Sequence, residues 1–327
     1  MYNLKYHLDR VERFFAEENF MGTPAELYAP IDYTLRLGGK RIRPTLLLAA
    51  NALFGGREED ASGAALGIET FHNFTLLHDD LMDRSPLRRG QPTVYVKWDE
   101  NTAVLSGDTM YALAWRYMLR TPEGRLRQVL TCFNDTAIEV CEGQQKDMNF
   151  ERRGMDEVRI GDYLDMIRQK TAVLLAGALK IGALVAGAPA EEVERLYHFG
   201  IHLGLAFQLQ DDLLDSYGDT AVFGKKTGQD IRDNKKTYLP LRALELCNAA
   251  QATELRALFA DKACDDEEAK VQRALTLYEA VGLRAEVEKA IADEFTLAQE
   301  SLSAIHADEV LKIPLRELME TLVGRKK

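Results

Sequence analysis

Two copies of one acidic pattern, well separated in the chain, constrain its fold and chemistry more than any other feature. Residues Asp79–Asp83 and Asp211–Asp215 both read Asp-Asp-x-x-Asp, and both lie in sequence of helical periodicity. Because residues four apart share one face of an α-helix, the first and last aspartates of each copy point the same way. Crowded carboxylates are unfavourable unless a cation lies between them. Oxygen-only ligands favour Mg²⁺, which commonly carries a substrate phosphate.

A solvated acidic helix face is the alternative explanation for either copy taken alone. Apolar residues flank both copies, however, at Phe74–Leu77 before the first and at Leu205–Phe207 before the second. A helix that is apolar nearly all round is buried, and buried charges need partners or metals. The two copies together therefore predict metal sites.

Composition limits the classes of protein that this chain belongs to. Its 327 residues are 46% hydrophobic, and no linker of Pro, Gly or Ser divides them, so a single domain over residues 1–327 is expected. The net charge of −11 argues against a nucleic-acid partner. The four cysteines lack metal-type spacing and fit a reducing cytoplasm. Residues 172–190 are apolar enough to span a bilayer, but Lys180 and many small residues favour a buried helix without stable membrane insertion.

Helical periodicity dominates the chain and predicts an all-α fold. Three breaks, at residues 38–39, 85–92 and 218–236, are poor in apolar residues and lie next to Lys or Arg, and two of them follow an acidic motif. Cations are therefore expected where the acidic helices end. The predicted helices cover residues 2–19, 24–37, 42–54, 60–83, 101–119, 125–149, 156–187, 190–217, 236–248, 251–261, 266–303 and 312–323.

Basic residues near the first motif form one candidate anion site. The segment GGKRIRP places Lys40 and Arg43 at a glycine turn that leads into a helix, and helix N-termini attract anions. His72 lies on the same helical stripe as the first motif, as a core residue or as a ligand contact. Paired arginines, Arg88 and Arg89, follow the motif and are suited to gripping phosphate.

A second group of polar residues surrounds the second motif. Lys170 and Thr171 interrupt an otherwise apolar helix, and Gln208 lies one turn before the motif. Residues 224–230 and 234–237 form a basic segment typical of a lid. Two groups of cations around two carboxylate clusters suit more than one diphosphate.

These residues resemble those of the trans-isoprenyl diphosphate synthases, or polyprenyl synthetases. The matching blocks are GGKRIRP, LLHDDLMDRSPLRRG, the Lys170-Thr171 pair, FQLQDDLLD and GKKTGQDIRDNKKTYLP, in order between about residues 38 and 240. The resemblance implies an all-α bundle around a deep central cavity, the class I isoprenoid synthase fold. It also implies an enzyme, a homodimer, that joins isopentenyl diphosphate to an allylic diphosphate.

The resemblance also implies a role for each candidate residue. About three Mg²⁺ ions would hold the allylic diphosphate in a two-sided metal site. Their ligands would be Asp79 and Asp83 on one wall and Asp211 on the other, with Asp212 and Asp215 supporting. The allylic diphosphate would contact Arg88, Lys170, Thr171, Gln208, Lys225 and Lys235. Isopentenyl diphosphate would bind without metal to Lys40, Arg43, His72 and Arg89.

The implied reaction passes through an allylic cation. Loss of diphosphate from the allylic substrate is stabilised by metal and cations, and the isopentenyl double bond then attacks. Lys170, Thr171 and Gln208 would stabilise the cation through oxygen dipoles and backbone carbonyls. No side chain stands out as the base, so a diphosphate oxygen is the candidate proton acceptor. Closure of the lid at residues 218–236 would exclude water.

Two details of the sequence bear on specificity. Asn234 stands where the family often has glycine, a change that asparagine tolerates. The family pattern makes Phe74 the floor that stops the growing chain, whereas an ideal helix puts Thr75 within roughly 40° of Asp79 and Phe74 about 140° away. With Phe74 as the floor, geranylgeranyl diphosphate (C20) is expected first and farnesyl diphosphate (C15) second. A plain core role for Phe74 is the alternative.

Two other functions compete with a synthase. A class I terpene cyclase shares the first motif, but it needs a different second motif and no isopentenyl site. A non-catalytic regulatory subunit of a prenyl synthase is expected to lose an aspartate or a lid lysine, and none is missing.

Overall fold

The computed structural model describes residues 3–218, 227–260 and 266–323, and nearly all of them are helical. The all-α prediction is confirmed. Lys225, which was expected to contact the allylic diphosphate, and Cys264 lie outside the described residues.

The chain divides into two compact units. The first comprises Met1–Asp135, Gly177–Tyr197 and Ile305–Leu318. Its helices are α1 (Leu4–Glu17), α2 (Ala25–Arg36), α3 (Ile42–Leu53), α4 (Glu58–Met82), α5 (Val94–Lys97) and α6 (Glu100–Met118), and an antiparallel hairpin joins β1 (Leu87–Arg88) to β2 (Gln91–Pro92).

Helix α4 is the centre of the first unit and packs against α3 and α6. Small residues make this packing possible. A Cβ added at Gly67 would lie 3.0 Å from the carbonyl oxygen of Ala114, and one at Gly63 would lie 2.8 Å from that of Tyr117. The glycines of α4 therefore allow its backbone to lie close to α6. The acidic motif lies at the end of this closely packed helix.

The second unit comprises Thr136–Ala176, His198–Ala304 and Met319–Lys327. The prediction of a single domain over the whole chain stays a prediction. The helices of this unit are α8 (Ile160–Ile167), α11 (Gln229–Arg232), α12 (Tyr238–Leu246), α13 (Ala249–Ala260), α14 (Glu267–Ala280) and α15 (Leu283–Ser303). Four helices contribute residues to both units: α7 (Glu123–Arg152), α9 (Val173–Ala186), α10 (Ala190–Tyr217) and α16 (Ile313–Val323).

The predicted helix over residues 156–187 is confirmed over Ile160–Ala186, but it is not regular along its length. A 3₁₀ turn (Met155–Glu157) precedes α8, and a π-helical turn (Arg168–Ala172) separates α8 from α9. The turn lies close to α7, since a Cβ at Gly143 would be 2.3 Å from the backbone nitrogen of Lys170. The widened turn packs directly on this glycine, and π turns of this kind occur often at functional sites.

The predicted helix over residues 266–303 is also interrupted. Helix α14 ends at Ala280 and α15 begins at Leu283, because Gly282 adopts a left-handed conformation with φ of 65°. A glycine in this conformation commonly ends a helix. The short helix α11 and the hairpin were not predicted, since both are too short to show a hydrophobic period.

The apolar segment Ile160–Ala186 is long enough to cross a membrane and has a mean hydropathy of 1.4 over its most apolar window. In the folded protein 72% of that window is buried. This burial agrees with the interpretation of the segment as core sequence.

Candidate active site

The first acidic motif lies at the C-terminal end of α4, with Asp83 as the capping residue. Its middle aspartate is a structural residue. Asp80 is buried and accepts hydrogen bonds of 2.9 and 2.7 Å from Nε of Arg88. Burial raises the pKa of Asp80, and the Arg88 guanidinium opposes that rise. Asp79, which is half-buried, and Asp83, which is exposed, lie on a different face of the helix from Asp80.

The hairpin after the motif is held firmly at its base. Thr93 donates a hydrogen bond of 2.8 Å to the carbonyl of Ser85, and the Tyr33 hydroxyl donates one of 2.8 Å to that of Pro92. At the tip, Arg89 adopts a left-handed conformation with φ of 53°. Gly90 beside it has a φ of 74°, and positive φ at both central residues is ordinary in a two-residue hairpin turn.

Arg43 and His72 lie in direct contact in the first unit, with Nη1 of Arg43 3.0 Å from Nε2 of His72. Because a guanidinium only donates, Nε2 of His72 accepts and the ring carries its proton on Nδ1. Burial lowers the pKa of His72 well below its usual value, and Arg43 and Arg89 lower it further. His72 is therefore neutral at physiological pH and orients Arg43.

The glycine turn of GGKRIRP lies against Arg89. A Cβ at Gly39 would be 2.6 Å from Nη2 of Arg89, and Gly39 has a φ of 146°, so no other residue fits there. Lys40 is exposed on the same turn. The structure thus brings Arg43 and His72 together and places Arg89 against the turn that carries Lys40.

A buried ion pair beneath this cluster escaped the sequence analysis. Nη1 of Arg41 lies 3.0 Å from Oε1 of Glu69, and both side chains are only 2% exposed. Nη2 of Arg41 donates to the carbonyl of Leu35 at 2.5 Å, and Asn73 donates to Glu69. The sequence alone does not distinguish a buried charged residue from a solvated one, so nothing in it indicated this pair.

Glu69 is the counter-charge of the whole cluster. Burial lowers the pKa of Arg43 to about 10, and it also lowers the pKa of Arg89. The carboxylate of Glu69 opposes both shifts. One buried carboxylate therefore pairs with Arg41 and opposes the effect of burial on Arg43 and Arg89.

The second acidic motif lies near the C-terminal end of α10, and its middle aspartate is again buried. Asp212 accepts hydrogen bonds from the Tyr163 hydroxyl and from Nε2 of Gln208, the latter at 3.1 Å. Burial raises the pKa of Asp212 to about 7, and these two donors oppose the rise. Gln208 in turn accepts a hydrogen bond of 3.1 Å from Thr171.

Asp215 ties the motif to the segment that follows it. Its carboxylate accepts the backbone N–H groups of Gln229, at 3.3 Å, and of Asp230, at 3.0 Å. Burial raises the pKa of Asp215, while these N–H groups lower it. Asp211 is half-exposed on the same helix. Asp212 and Asp215 are thus held by protein donors.

A pocket in the second unit gathers most of the predicted allylic residues. Nζ of Lys170 lies 2.6 Å from Oδ2 of Asp147, and Nζ of Lys235 lies 3.0 Å from Oε1 of Glu151. Both lysines are thus held by carboxylates of α7, which sequence reasoning did not single out. The pocket is lined by Asp147, Tyr163, Lys170, Thr171, Gln208, Asp212, Asp230 and Lys235, among others.

The donors fit Mg²⁺ that arrives with a substrate. Within residues 3–218, 227–260 and 266–323, no three His, Cys, Asp or Glu side chains are grouped as a ready metal cage. Mg²⁺ typically takes one or two carboxylates and fills its other positions with water and substrate phosphate. Asp79 and Asp83 on α4 supply such carboxylates in the first unit, and Asp211 on α10 supplies one in the second unit.

The two candidates for the chain-length floor have different surroundings. The ring of Phe74 packs 4.8 Å from that of His78, 5.4 Å from Tyr111 and 5.6 Å from Phe71, between centroids. Thr75 instead donates a hydrogen bond of 2.8 Å to the carbonyl of His72. Phe74 is thus fixed in an aromatic cluster between α4 and α6. Its role as the floor stays a prediction.

Comparisons with known proteins identify the family of this chain. A family model described as polyprenyl synthetase matches residues 24–278. The chain is 38% identical to the geranylfarnesyl diphosphate synthase of Natronomonas pharaonis, over 92% of this chain and 91% of that one. It is 43% identical to the geranylgeranyl diphosphate synthase of Methanosarcina mazei, over 68% of each.

Solved structures agree as well. A crystal structure of a geranylgeranyl pyrophosphate synthase covers 100% of both chains with a TM-score of 0.94 at 41% identity. That of the geranylgeranyl pyrophosphate synthetase from Pyrococcus horikoshii has a TM-score of 0.87 at 30% identity, over 98% of this chain and 96% of that one.

An all-α fold with an acidic motif on each of two helices defines a class I isoprenoid synthase. Within that class, the chain belongs to the polyprenyl synthetase family and is a transferase of prenyl groups. Divalent metal is part of the chemistry of this family.

Proposed function

We propose that this enzyme condenses isopentenyl diphosphate with an allylic diphosphate in the presence of Mg²⁺, and that geranylgeranyl diphosphate is its main all-trans product. One observation carries the proposal: the described chain holds two anion-binding regions of opposite construction. One is built from guanidinium groups around a neutral histidine, and the other from carboxylates and lysines.

The guanidinium region suits isopentenyl diphosphate. His72 contacts Arg43, the guanidinium of Arg89 lies against the glycine turn, and Lys40 adds charge from that turn. Guanidinium groups bind phosphate oxygens in pairs and need no metal. The substrate that keeps its diphosphate through the reaction is therefore assigned to Lys40, Arg43, His72 and Arg89.

The carboxylate region suits the substrate that loses its diphosphate. Mg²⁺ held by Asp79, Asp83 and Asp211 would neutralise the charge that develops on the departing diphosphate. Asp212 and Asp215 support this set, since hydrogen bonds from Tyr163 and from the backbone of residues 229–230 fix their positions. The number of ions, about three, follows the family expectation.

The lysines of the pocket are ready to exchange partners. Lys170 and Lys235 lie against Asp147 and Glu151, and an entering diphosphate offers a more strongly charged acceptor. Arg88 is assigned to the same diphosphate, and its ion pair with Asp80 holds it in place. Lys225 is assigned to this diphosphate by resemblance alone.

The π-helical turn supplies the dipoles that an allylic cation needs. Its wide geometry carries Thr171, whose hydroxyl is hydrogen-bonded to Gln208. Oxygen atoms of Thr171 and Gln208, and backbone carbonyls near Lys170, are the proposed stabilising groups. The expected closure over residues 218–236, of which residues 219–226 lie outside the described part of the chain, would keep water from the cation.

A fixed Phe74 supports a short product. The aromatic cluster leaves its ring little freedom to move aside for a longer chain. Geranylgeranyl diphosphate is proposed first and farnesyl diphosphate second, whereas the relatives named above include synthases of both C20 and C25 products.

A homodimer in the cytoplasm is the proposed setting. Val96, Val104 and Leu105 on α5 and α6 are 44–58% exposed and form an apolar surface suited to self-association. Cys141 and Cys247 are free thiols in the described part of the chain, which suits a reducing compartment.

The test is a product assay. The purified protein is incubated with Mg²⁺, isopentenyl diphosphate and each of dimethylallyl, geranyl and farnesyl diphosphate, and the products are sized by mass spectrometry. A dominant C20 product is expected, and C15 or C25 would keep the chemistry but change the floor. No metal-dependent elongation from any primer would overturn the proposal and favour a cyclase or a regulatory subunit.

A further inference from the structure

The segment after the second acidic motif makes a tight turn just before its lysines. Asn234 adopts a left-handed conformation with φ of 55°, which is uncommon for a residue other than glycine. The next two residues are Lys235, whose ammonium lines the pocket, and Lys236, which is buried beside it. The backbone N–H of Lys235 donates to the carbonyl of Asp230 at 2.9 Å. The conformation of Asn234 therefore determines where both lysines point.

A buried lysine from a helix near the C-terminus holds this turn. Lys270, on α14, is only 4% exposed. Its Nζ donates to Oδ1 of Asn234 at 2.7 Å and to the backbone carbonyl of Arg232 at 3.3 Å. A buried ammonium requires acceptors, and these two acceptors belong to the one turn.

Neighbours of Lys270 on α14 hold the other end of the same segment. Val271 lies 2.6 Å from where a Cβ of Gly228 would be, so only glycine fits there. Glu268 forms an ion pair of 2.9 Å with Nη2 of Arg232. The beginning of α14 is thus a platform on which residues 228–234 rest.

Asparagine makes the turn dependent on this platform. A glycine adopts a left-handed conformation without steric cost, whereas an asparagine there is stabilised by what its side chain contacts. The contact from Lys270 to Asn234 provides that stabilisation. Sequence positions 234 and 270 are therefore coupled in this chain.

We propose that Lys270 is a positioning residue for the allylic diphosphate region, where it holds Asn234 in the turn that presents Lys235 and Lys236 to the pocket. Lys270 does not line the pocket itself and acts only through the turn. This inference rests on the proposed function, because it assumes that the pocket binds the allylic diphosphate.

A double-mutant cycle with steady-state kinetics tests the proposal. Lys270→Met, Asn234→Gly and the double variant are compared with wild type, and KM is measured for farnesyl diphosphate and for isopentenyl diphosphate separately. Lys270→Met is expected to raise KM for farnesyl diphosphate about tenfold and to leave KM for isopentenyl diphosphate within twofold. Lys289→Met, at an exposed lysine of α15, is the matched control.

Asn234→Gly should largely rescue the loss caused by Lys270→Met. A lysine that only stabilised the fold would not be rescued in this way. Asn234→Gly alone is expected to raise KM for farnesyl diphosphate at most about threefold, since glycine adopts the turn unaided. In the Asn234→Gly background, Lys270→Met is expected to add at most another threefold. A double variant as impaired as the product of the two single effects, or an equal rise of KM for both substrates, would overturn the proposal.

Binding of inorganic diphosphate with Mg²⁺, measured by calorimetry on the same four proteins, separates this inference from the proposed function. If wild type binds diphosphate but does not condense substrates, the proposed function fails, and the pattern of affinities still decides the role of Lys270. If wild type is active and Lys270→Met matches it in both assays, the positioning role alone fails.

Discussion

The two proposed anion-binding regions differ in how their charges are balanced. In the guanidinium region of the first unit, Glu69 is buried against Arg41 and balances Arg43 and Arg89. In the carboxylate region, burial and the charges of neighbouring carboxylates raise the pKa of Asp230. The repulsion among these carboxylates is relieved when a cation binds. A site that works without metal needs its counter-charge in the core. A site that works with metal is completed only when metal binds. Changes in the first region should therefore cost folding stability, and changes in the second should cost catalysis.

Removal of the buried counter-charge is the strongest test of this contrast. Glu69→Gln leaves Arg41 buried without its partner, and loss of one member of a buried ion pair typically costs about 3–5 kcal/mol. Urea unfolding measures the loss. Glu12, which lies 3.5 Å from the same Arg41 but is 49% exposed, is the matched control, and Glu12→Gln should cost less than about 1 kcal/mol. Equal losses from the two variants would contradict the central role of Glu69.

Loss of a metal ligand should show the opposite profile. Asp79→Asn or Asp83→Asn should lower kcat by about 10²–10³, the scale on which single charge-stabilising groups act in active sites. Unfolding free energy should stay the same or rise, because a repelling carboxylate is removed. Asp108→Asn, at an exposed site on α6, is the control and should change neither quantity. An aspartate variant that loses unfolding free energy but keeps its kcat would contradict the comparison between the two regions.

Stability should depend on pH with opposite sign in the two regions. Burial, then the charges of Asp212 and Asp215, raise the pKa of Asp230 to about 8 from an ordinary value near 3.8. The folded state then binds more protons than the unfolded state across that range, so this carboxyl destabilises the fold as the pH rises. Asp230→Asn should gain on the order of 2 kcal/mol relative to wild type between pH 5 and pH 8 without metal. Urea unfolding at the two pH values measures the gain, and no relative gain would contradict the burial argument.

His72 should act in the other direction. Its pKa is lowered well below 6.5, so the stability that it contributes is present above pH 6.5 and is lost as the pH falls. His72→Asn should therefore lose less stability than wild type when the pH is lowered from 7 to 5. A loss as large as that of wild type would mean that His72 is not held neutral.

Phe74 offers the finest test, because it lies outside both charged regions. Phe74→Ala should lengthen the main product by one isoprene unit or more and leave KM for isopentenyl diphosphate within about twofold, since the ring touches no diphosphate contact. Phe74→Leu is the matched control and should shift the product less. Mass spectrometry of the products measures both, and an unchanged product would favour a plain core role for Phe74.

Part of the fold and of the candidate site could be predicted from the sequence. Helical periodicity predicted which residues share a face, so α4 and α10 and their acidic motifs came out within about two residues. The gathering of Arg43 and His72, and of Thr171 and Gln208, agrees with the groups expected from resemblance.

What sequence missed depends on close approach and burial. The π turn at Lys170 lies close to Gly143, a residue remote in sequence that carried no signal. Glu69 and Lys270 are charged residues on helices, and only tertiary packing distinguishes them from solvated ones. Gly282, by contrast, is visible in the sequence as a residue that commonly ends a helix, and it divides the helix predicted over residues 266–303.

Calorimetric titration in EDTA tests most directly the claim that one region binds diphosphate without metal and the other requires it. The titrants are isopentenyl diphosphate and an unreactive sulfur-bridged analogue of farnesyl diphosphate, each with Mg²⁺ and with EDTA. Isopentenyl diphosphate should keep its Kd within about threefold in EDTA, while the analogue should weaken by about 100-fold or more. Equal dependence on Mg²⁺ for both titrants, or none for the analogue, would contradict the account.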